Sequence, residues 1–186
     1  MNLNKLFEAQ RKLDERIVKE KGLENEDLLD KKILALQVEL GELANEYRGF
    51  KFWSENPKPN IKAKRLVRLS KNEFSYGYVE YNPLLEEYVD CLHFILSIGN
   101  DLGLRVTSCE YDEFLDLTER EISITRQFIV MNLLTSLLLD EPKTDYHTLV
   151  FEHITLGEML GFTWKEIEQA YFEKNKVNHE RQESGY

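Results

Sequence analysis

A chain of 186 residues is long enough to bury one core without disulfides or metals, and 42% apolar against 31% charged residues is a globular balance. A formal net charge of −10 argues against non-specific nucleic-acid or anionic-membrane binding, which needs a basic face. An anionic substrate stays compatible, because bound divalent cations reverse the local sign.

Residues 3–20 read as a first helix, with Leu3, Leu6, Phe7, Leu13 and Ile17 apolar and charges spread along it, so no signal-peptide core is expected. A second helix runs from about Asp27 to Arg48. Its Ile33, Leu36, Leu40, Leu43 and Tyr47 recur at helical intervals, and Gly49 with the Pro57/Pro59 pair is expected to stop it. Residues 55–82 are the irregular part, basic and then aromatic with turn residues. An insertion of this length, about 58–82, fits a lid, a short hairpin or a variable surface loop. A third helix starts at Pro83, a good first-turn residue, and ends near Gly103.

Residues 110–139 hold one or two helices. The tract 128–139 is apolar almost all round, which predicts a central place or cover by a second subunit. Asn132, Thr135 and Ser136 interrupt it and it is too short to span a bilayer, so a soluble cytoplasmic protein with no membrane partner is expected. Cys91 and Cys109 lack zinc spacing, and neither a disulfide framework nor structural zinc is expected. A further helix covers about 145–160. The last begins after Thr163, whose hydroxyl caps it, with Glu166 completing a capping box. The prediction is one all-α domain over residues 1–186, a bundle of five to six helices with one long irregular insertion.

Two acidic pairs carry the chemistry. Glu39 and Glu42 lie three apart beside the apolar stripe of the second helix, and Glu87 and Asp90 repeat the spacing on the third. Antiparallel packing along the stripes would bring the pairs face to face. Four such carboxylates cannot all stay ionised without a counter-charge, and hard oxygen ligands suit magnesium or manganese. A single Glu-x-x-Glu is more often a solvated helix edge; two pairs flanking one loop, with Phe94 on the same edge as Glu87, are a stronger signal. Glu46 and Glu86 fall to solvent or to a supporting role. Near the C-terminus Tyr171, Lys174, Asn178 and Arg181 step by three, four and three, so a continued helix points all four one way. A charged terminus is usually loose.

The segments "ELGELANE" and "EEYVDCLHF" resemble the acidic signature of the all-α nucleoside triphosphate pyrophosphohydrolases, the superfamily of MazG-like enzymes and dimeric dUTPases. "YFEKNKVNHERQESGY", "QRKLDERI", "FKFWS" and "VDCLHFILSIG" are similar to the dimeric dUTPases in particular, in the expected order along the chain. The connection over roughly 58–82 is longer than that family's. The resemblance implies a homodimer that hydrolyses dUTP, and dUDP, to dUMP. It implies that Glu39, Glu42, Glu87 and Asp90 hold Mg2+, with Mn2+ a substitute, and that Glu39 positions and deprotonates the attacking water. It makes 171–186 a phosphate-binding tail, with Lys174, Arg181 and Tyr186 toward the phosphates. Gln10 and Asn178 would read the uracil edge, Phe94 would stack on the base, Trp53 would line the nucleoside pocket and His93 would touch the sugar. For the aromatics and His93, ordinary core packing is the competing expectation.

Two rivals remain at this level. One is a related pyrophosphohydrolase acting on dCTP or on a broad range of nucleotides, which shares the acidic motif. The other is a non-catalytic helical dimer that binds a protein through its acidic surface, for which four carboxylates at this spacing have no purpose.

Overall fold

Helix α1 (Leu3–Lys21), helix α2 (Leu29–Tyr47), a hairpin of β1 (Ala63–Arg68) and β2 (Tyr76–Tyr81), and helices α3 (Pro83–Leu102), α4 (Ile124–Leu137), α5 (Pro142–Met159) and α6 (Trp164–Glu183) follow one another along the chain. They are seen in a computed structural model that describes residues 3–68, 76–106, 110–111 and 122–184. The fold is all-α, as the periodicity predicts, with the hairpin its only sheet among the described residues.

The caps account for several boundaries. Asn82 accepts a hydrogen bond from Leu85 N ahead of Pro83, and Ser123 accepts one from Arg126 N to start α4. The capping box at α6 forms as the sequence predicts: Thr163 Oγ1 accepts from Glu166 N, and Glu166 Oε2 accepts from Thr163 N at 2.8 Å. Helix α2 ends at Tyr47, two residues ahead of Gly49. The left-handed residue is Arg48, with φ 62°, and Gly49 serves by lacking a side chain, since a Cβ there would collide with the Tyr47 ring.

Helix α3 is the hub and packs against α1, α2, α5 and α6. Two reciprocal bonds hold α3 to α5. Tyr88 Oη of α3 donates to His153 O at 3.0 Å across Gly157, and Tyr146 Oη of α5 donates to Ile95 O at 3.0 Å across Gly99. Both tyrosines are fully buried, and a Cβ on either glycine would strike the ring opposite. These close approaches fix how deep α3 sits, and therefore where its acidic edge emerges.

Two open expectations are narrowed. The tract 128–139 is only half buried in this chain, which removes a fully central place and leaves cover by a second subunit: Phe128, Met131, Leu134 and Leu138 are buried, while Ile129, Leu133, Leu137 and Leu139 face outward. Helix α4 begins only at Ile124, and residues 112–121 lie outside the described residues. The insertion contains a regular antiparallel hairpin, registered from Ala63↔Tyr81 to Arg68↔Tyr76. Strand β1 escapes pattern reading because it has no buried face and is rich in lysine and arginine, so cross-strand pairing rather than apolar alternation defines it.

Candidate active site

Packing α2 against α3 brings the acidic pairs together. Carboxylate oxygens of Glu39, Glu42 and Glu87 all lie within 4.8 Å of one another. Glu42 is exposed, whereas Glu39 and Glu87 are half-buried. Burial is the main cause that raises Glu39 to about 7, with repulsion from Asp90 and Glu42 adding to it and Lys174 opposing it. Glu87 is likewise raised to about 7 by burial, then by Asp90, Glu39 and Glu42. Such a cluster binds protons at neutral pH unless a cation replaces them. Its donor set, all carboxylate oxygen, fits a hard divalent ion.

Asp90 stands at the edge of this cluster and has a different partner. Its Oδ2 accepts from Lys174 Nζ at 2.5 Å, and the same amine donates to Glu86 Oε1 at 3.2 Å. Burial raises the Asp90 carboxyl against the pull of Lys174. Burial also tends to discharge Lys174, but the two carboxylates outweigh it and hold the amine above its ordinary value. Glu86 meets Arg65 of the hairpin as well, with Arg65 Nη1 donating at 2.9 Å. Glu46, the other accessory acid, accepts from Asn60 Nδ2 at 2.6 Å and pins the loop after α2.

Beside the carboxylates opens a cavity of about 310 Å³, bounded by α1, α2, α3 and α6. Glu39, Asp90 and Lys174 form one end, with Asn178 and Arg181 on the α6 side, and Gln10, Asp14, His93 and Phe94 also line it. The four-residue step of α6 therefore works as the spacing predicts: Lys174, Asn178 and Arg181 line the cavity and Tyr171 is buried beneath them. Gln10 is buried and fully engaged. Its Oε1 accepts from Tyr171 Oη at 3.0 Å and lies 2.6 Å from His93 Nδ1, and its Nε2 donates to Asp14 Oδ1 at 2.8 Å. Burial depresses His93 to about 3, so the imidazole is neutral and Nδ1 carries the proton toward Gln10. That leaves His93 Nε2 and Asp14 Oδ2 buried without a hydrogen bond of good geometry, with Ser97 beside Asp14 and the Tyr171 backbone beside His93 as their nearest polar neighbours.

Trp53 does not reach this cavity. Its ring is 65% exposed in the turn after α2, edge-on to Phe50 and Phe52. Tyr186 lies outside the described residues. Sequence reading missed Asp14 and Arg65, and left Glu86 between solvent and a supporting role, of which the structure shows the second. Asp14 had one signal, its position one helical turn after Gln10 on the same face.

A family model described as dUTPase matches residues 2–67 and 76–186. The chain belongs to the all-α, dimeric dUTPase family. No curated relative matches it. The dUTPase match skips residues 68–75, so the departure from the family narrows from the expected 58–82 to the end of β1 and the connection after it. Family membership implies a hydrolase acting on dUTP, and no described helix is long and apolar enough to cross a membrane.

Proposed function

We propose that this dUTPase-family chain hydrolyses dUTP, and also dUDP, to dUMP at the carboxylate cluster between α2 and α3. One observation carries the reading: three carboxylates converge, and one of them, Glu39, lines a cavity that presents Lys174, Asn178 and Arg181 from another helix. Glu39, Glu42, Glu87 and Asp90 would hold magnesium. Bound there, the ion would offset the charge of the triphosphate and of the transition state.

The chain's own groups divide the remaining tasks. Glu39, half-buried beside Glu42 and Glu87, is placed to orient the attacking water and take its proton. Lys174 and Arg181 neutralise phosphate oxygens, Arg181 through its fork of donors. Phe94 lines the cavity with its ring available to stack on the pyrimidine. Of the amides assigned to the uracil edge, Asn178 is the readier, because both ends of Gln10 already have partners. Gln10 acts by holding His93 and Asp14 in place on the cavity wall, where base or sugar would lie.

The same reading makes the chain a homodimer. Gln37 Nε2 donates to Ser136 Oγ at 3.1 Å, and Tyr47 packs on Phe128 with ring centroids 5.5 Å apart, so α2 and α4 run antiparallel. Leu34 and Val38 on α2 and Leu133 and Leu137 on α4 precede their contact residue by three positions or follow it by one. On antiparallel helices that offset turns both stripes to the same side. With Ile129 they make one exposed apolar face, which suits a second copy of the chain.

The deciding experiment is turnover of dUTP, dUDP, dCTP, dTTP and UTP with and without magnesium, with phosphate and pyrophosphate measured separately. Clear preference for dUTP, abolished by chelation, is expected. Equal turnover of dCTP, or a Glu87→Gln variant as active as wild type, refutes the assignment.

A further inference from the structure

The hairpin meets the acidic cluster through one side chain. Arg65 turns from β1 toward α3, its Nη1 donating to Glu86 Oε1 at 2.9 Å and its guanidinium 4.1 Å from the centre of the Tyr81 ring on β2. The ring contact and the ion pair together set where the guanidinium lies. Glu86 Oε1 also accepts from Lys174 at 3.2 Å, and Lys174 donates on to Asp90 at 2.5 Å. Four groups of alternating sign thus run from the hairpin to the carboxylate cluster: Arg65, Glu86, Lys174, Asp90. The Arg65 side chain is 49% exposed, whereas Glu86, Lys174 and Asp90 are 19%, 15% and 15% exposed.

Hydrolysis of dUTP at this cluster asks two members of the series to change partners, and the role of Arg65 rests on that proposed function. Asp90 must turn to a divalent ion and Lys174 to a phosphate oxygen. Lys174 can leave only if Glu86 keeps a counter-charge. With no arginine opposite, Glu86 would be a mostly buried carboxylate whose sole counterion is Lys174, and taking away that partner is costly. Glu86 would then hold the lysine back and face the triphosphate as an uncompensated negative charge. With Arg65 in place, Glu86 stays paired while Lys174 moves.

We propose that Arg65 is a positioning residue of the nucleotide site: it neutralises Glu86 and thereby frees Lys174 for a substrate phosphate. The hairpin that carries Arg65, whose β1 end and adjoining connection the family match leaves out, is then part of the binding machinery without touching substrate.

The test is a double-mutant cycle over Arg65→Gln and Glu86→Gln, with Arg65→Lys as the conservative variant. KM and kcat are measured on the best nucleotide, and magnesium pyrophosphate binding is monitored by calorimetry. Arg65→Gln should raise KM and the pyrophosphate Kd about tenfold, the worth of roughly 1.4 kcal/mol, with kcat changed less than about twofold. Arg65→Lys should recover most of the loss. In the Glu86→Gln background the arginine substitution should change neither constant by more than about twofold, because the charge it answers is gone.

An Arg65 effect that persists in that background marks a direct phosphate contact and overturns the proposal. So does an Arg65→Gln enzyme with unchanged constants, or one that loses kcat alone. Should Arg65→Gln fail to fold, Glu86→Gln alone decides: unchanged or tighter pyrophosphate binding is expected, and a tenfold loss refutes the scheme. A wild type that turns over no nucleotide but shows the coupling in pyrophosphate binding would remove the substrate reading and leave the Arg65 role standing. An active enzyme without coupling would remove only the Arg65 role, and a wild type that binds no pyrophosphate would remove both.

Discussion

Take the metal-free protein at pH 8 and replace Glu87 by glutamine. Burial and neighbouring carboxylates move Glu87 from 4.5 to about 7, and Glu39 by a similar amount. The unfolded chain releases these protons near the ordinary value, while the folded chain holds them until about 7. Between those limits the native state binds more protons, so its stability falls as pH rises and the full penalty is present above 7. One pKa unit is worth about 1.4 kcal/mol, which would give roughly 3.4 kcal/mol for Glu87 taken alone. Both groups are only half-buried and titrate as a pair, so screening and shared repulsion bring the gain from Glu87→Gln to about 1–2 kcal/mol. For a chain of this size that is roughly 2–8 °C in Tm.

The assay is thermal melting of both proteins in chelator at pH 5.5 and pH 8, repeated with magnesium at pH 8. The variant should melt above wild type at pH 8 and by clearly less at pH 5.5, because the penalty sets in near 4.5, where the unfolded chain begins to release the proton, and is complete only above 7. Magnesium at about 100 times its Kd should stabilise wild type by about 2.7 kcal/mol and the variant by much less. A variant that melts below wild type at pH 8, or an equal magnesium response from both, would refute the reasoning, because Glu87 would then be an ordinary stabilising surface charge.

Gly99→Ala should cost about 1–3 kcal/mol, since a Cβ there collides with the Tyr146 ring and its hydroxyl bond to Ile95 O; a lowered Tm by calorimetry checks it. Leu133→Glu, at the centre of the exposed α2–α4 face, should shift the chain from dimer to monomer in light scattering while circular dichroism stays helical. Phe94→Ala should raise KM for dUTP by about 5- to 100-fold with kcat little changed, the range expected for a lost base–aromatic stack. Normal kinetics with a lowered Tm would make Phe94 a packing residue only.

How much of the fold and site was legible in the chain depends on how far apart the interacting residues are. The α2 stripe, Pro83 at the start of α3 and the Thr163–Glu166 box are local patterns, and each appears where the spacing puts it. The acidic pairs needed only one assumption, that α2 and α3 pack along their stripes. For 128–139 the chain left two places open, central or covered by a second subunit, because composition cannot tell a buried helix from one whose second face is exposed, and Ile129 and Leu133 read the same as Met131 and Leu134. The Arg65–Glu86–Lys174–Asp90 series was out of reach, because it joins a hairpin strand, α3 and α6 and none of its spacings repeats.

The arrangement of α3 explains why the site and the core can be perturbed separately. Tyr88, Ile95 and Gly99 bind the helix to α5, while Glu87, Asp90 and Phe94 lie on the edge toward α2 and the cavity. His93 faces Gln10 of α1 and stacks on Tyr171 of α6 with centroids 4.3 Å apart, so it ties the cavity to both helices that carry its other walls. Substitution on the α5 side should therefore change Tm with little change in kinetics. Substitution on the acidic edge should change kinetics, and should change Tm only in the pH- and magnesium-dependent way expected for Glu87→Gln, because that edge is set by charge rather than by packing. At His93 the two should respond together at any pH and magnesium level, since the same ring orders α1 and α6 and shapes the pocket between them.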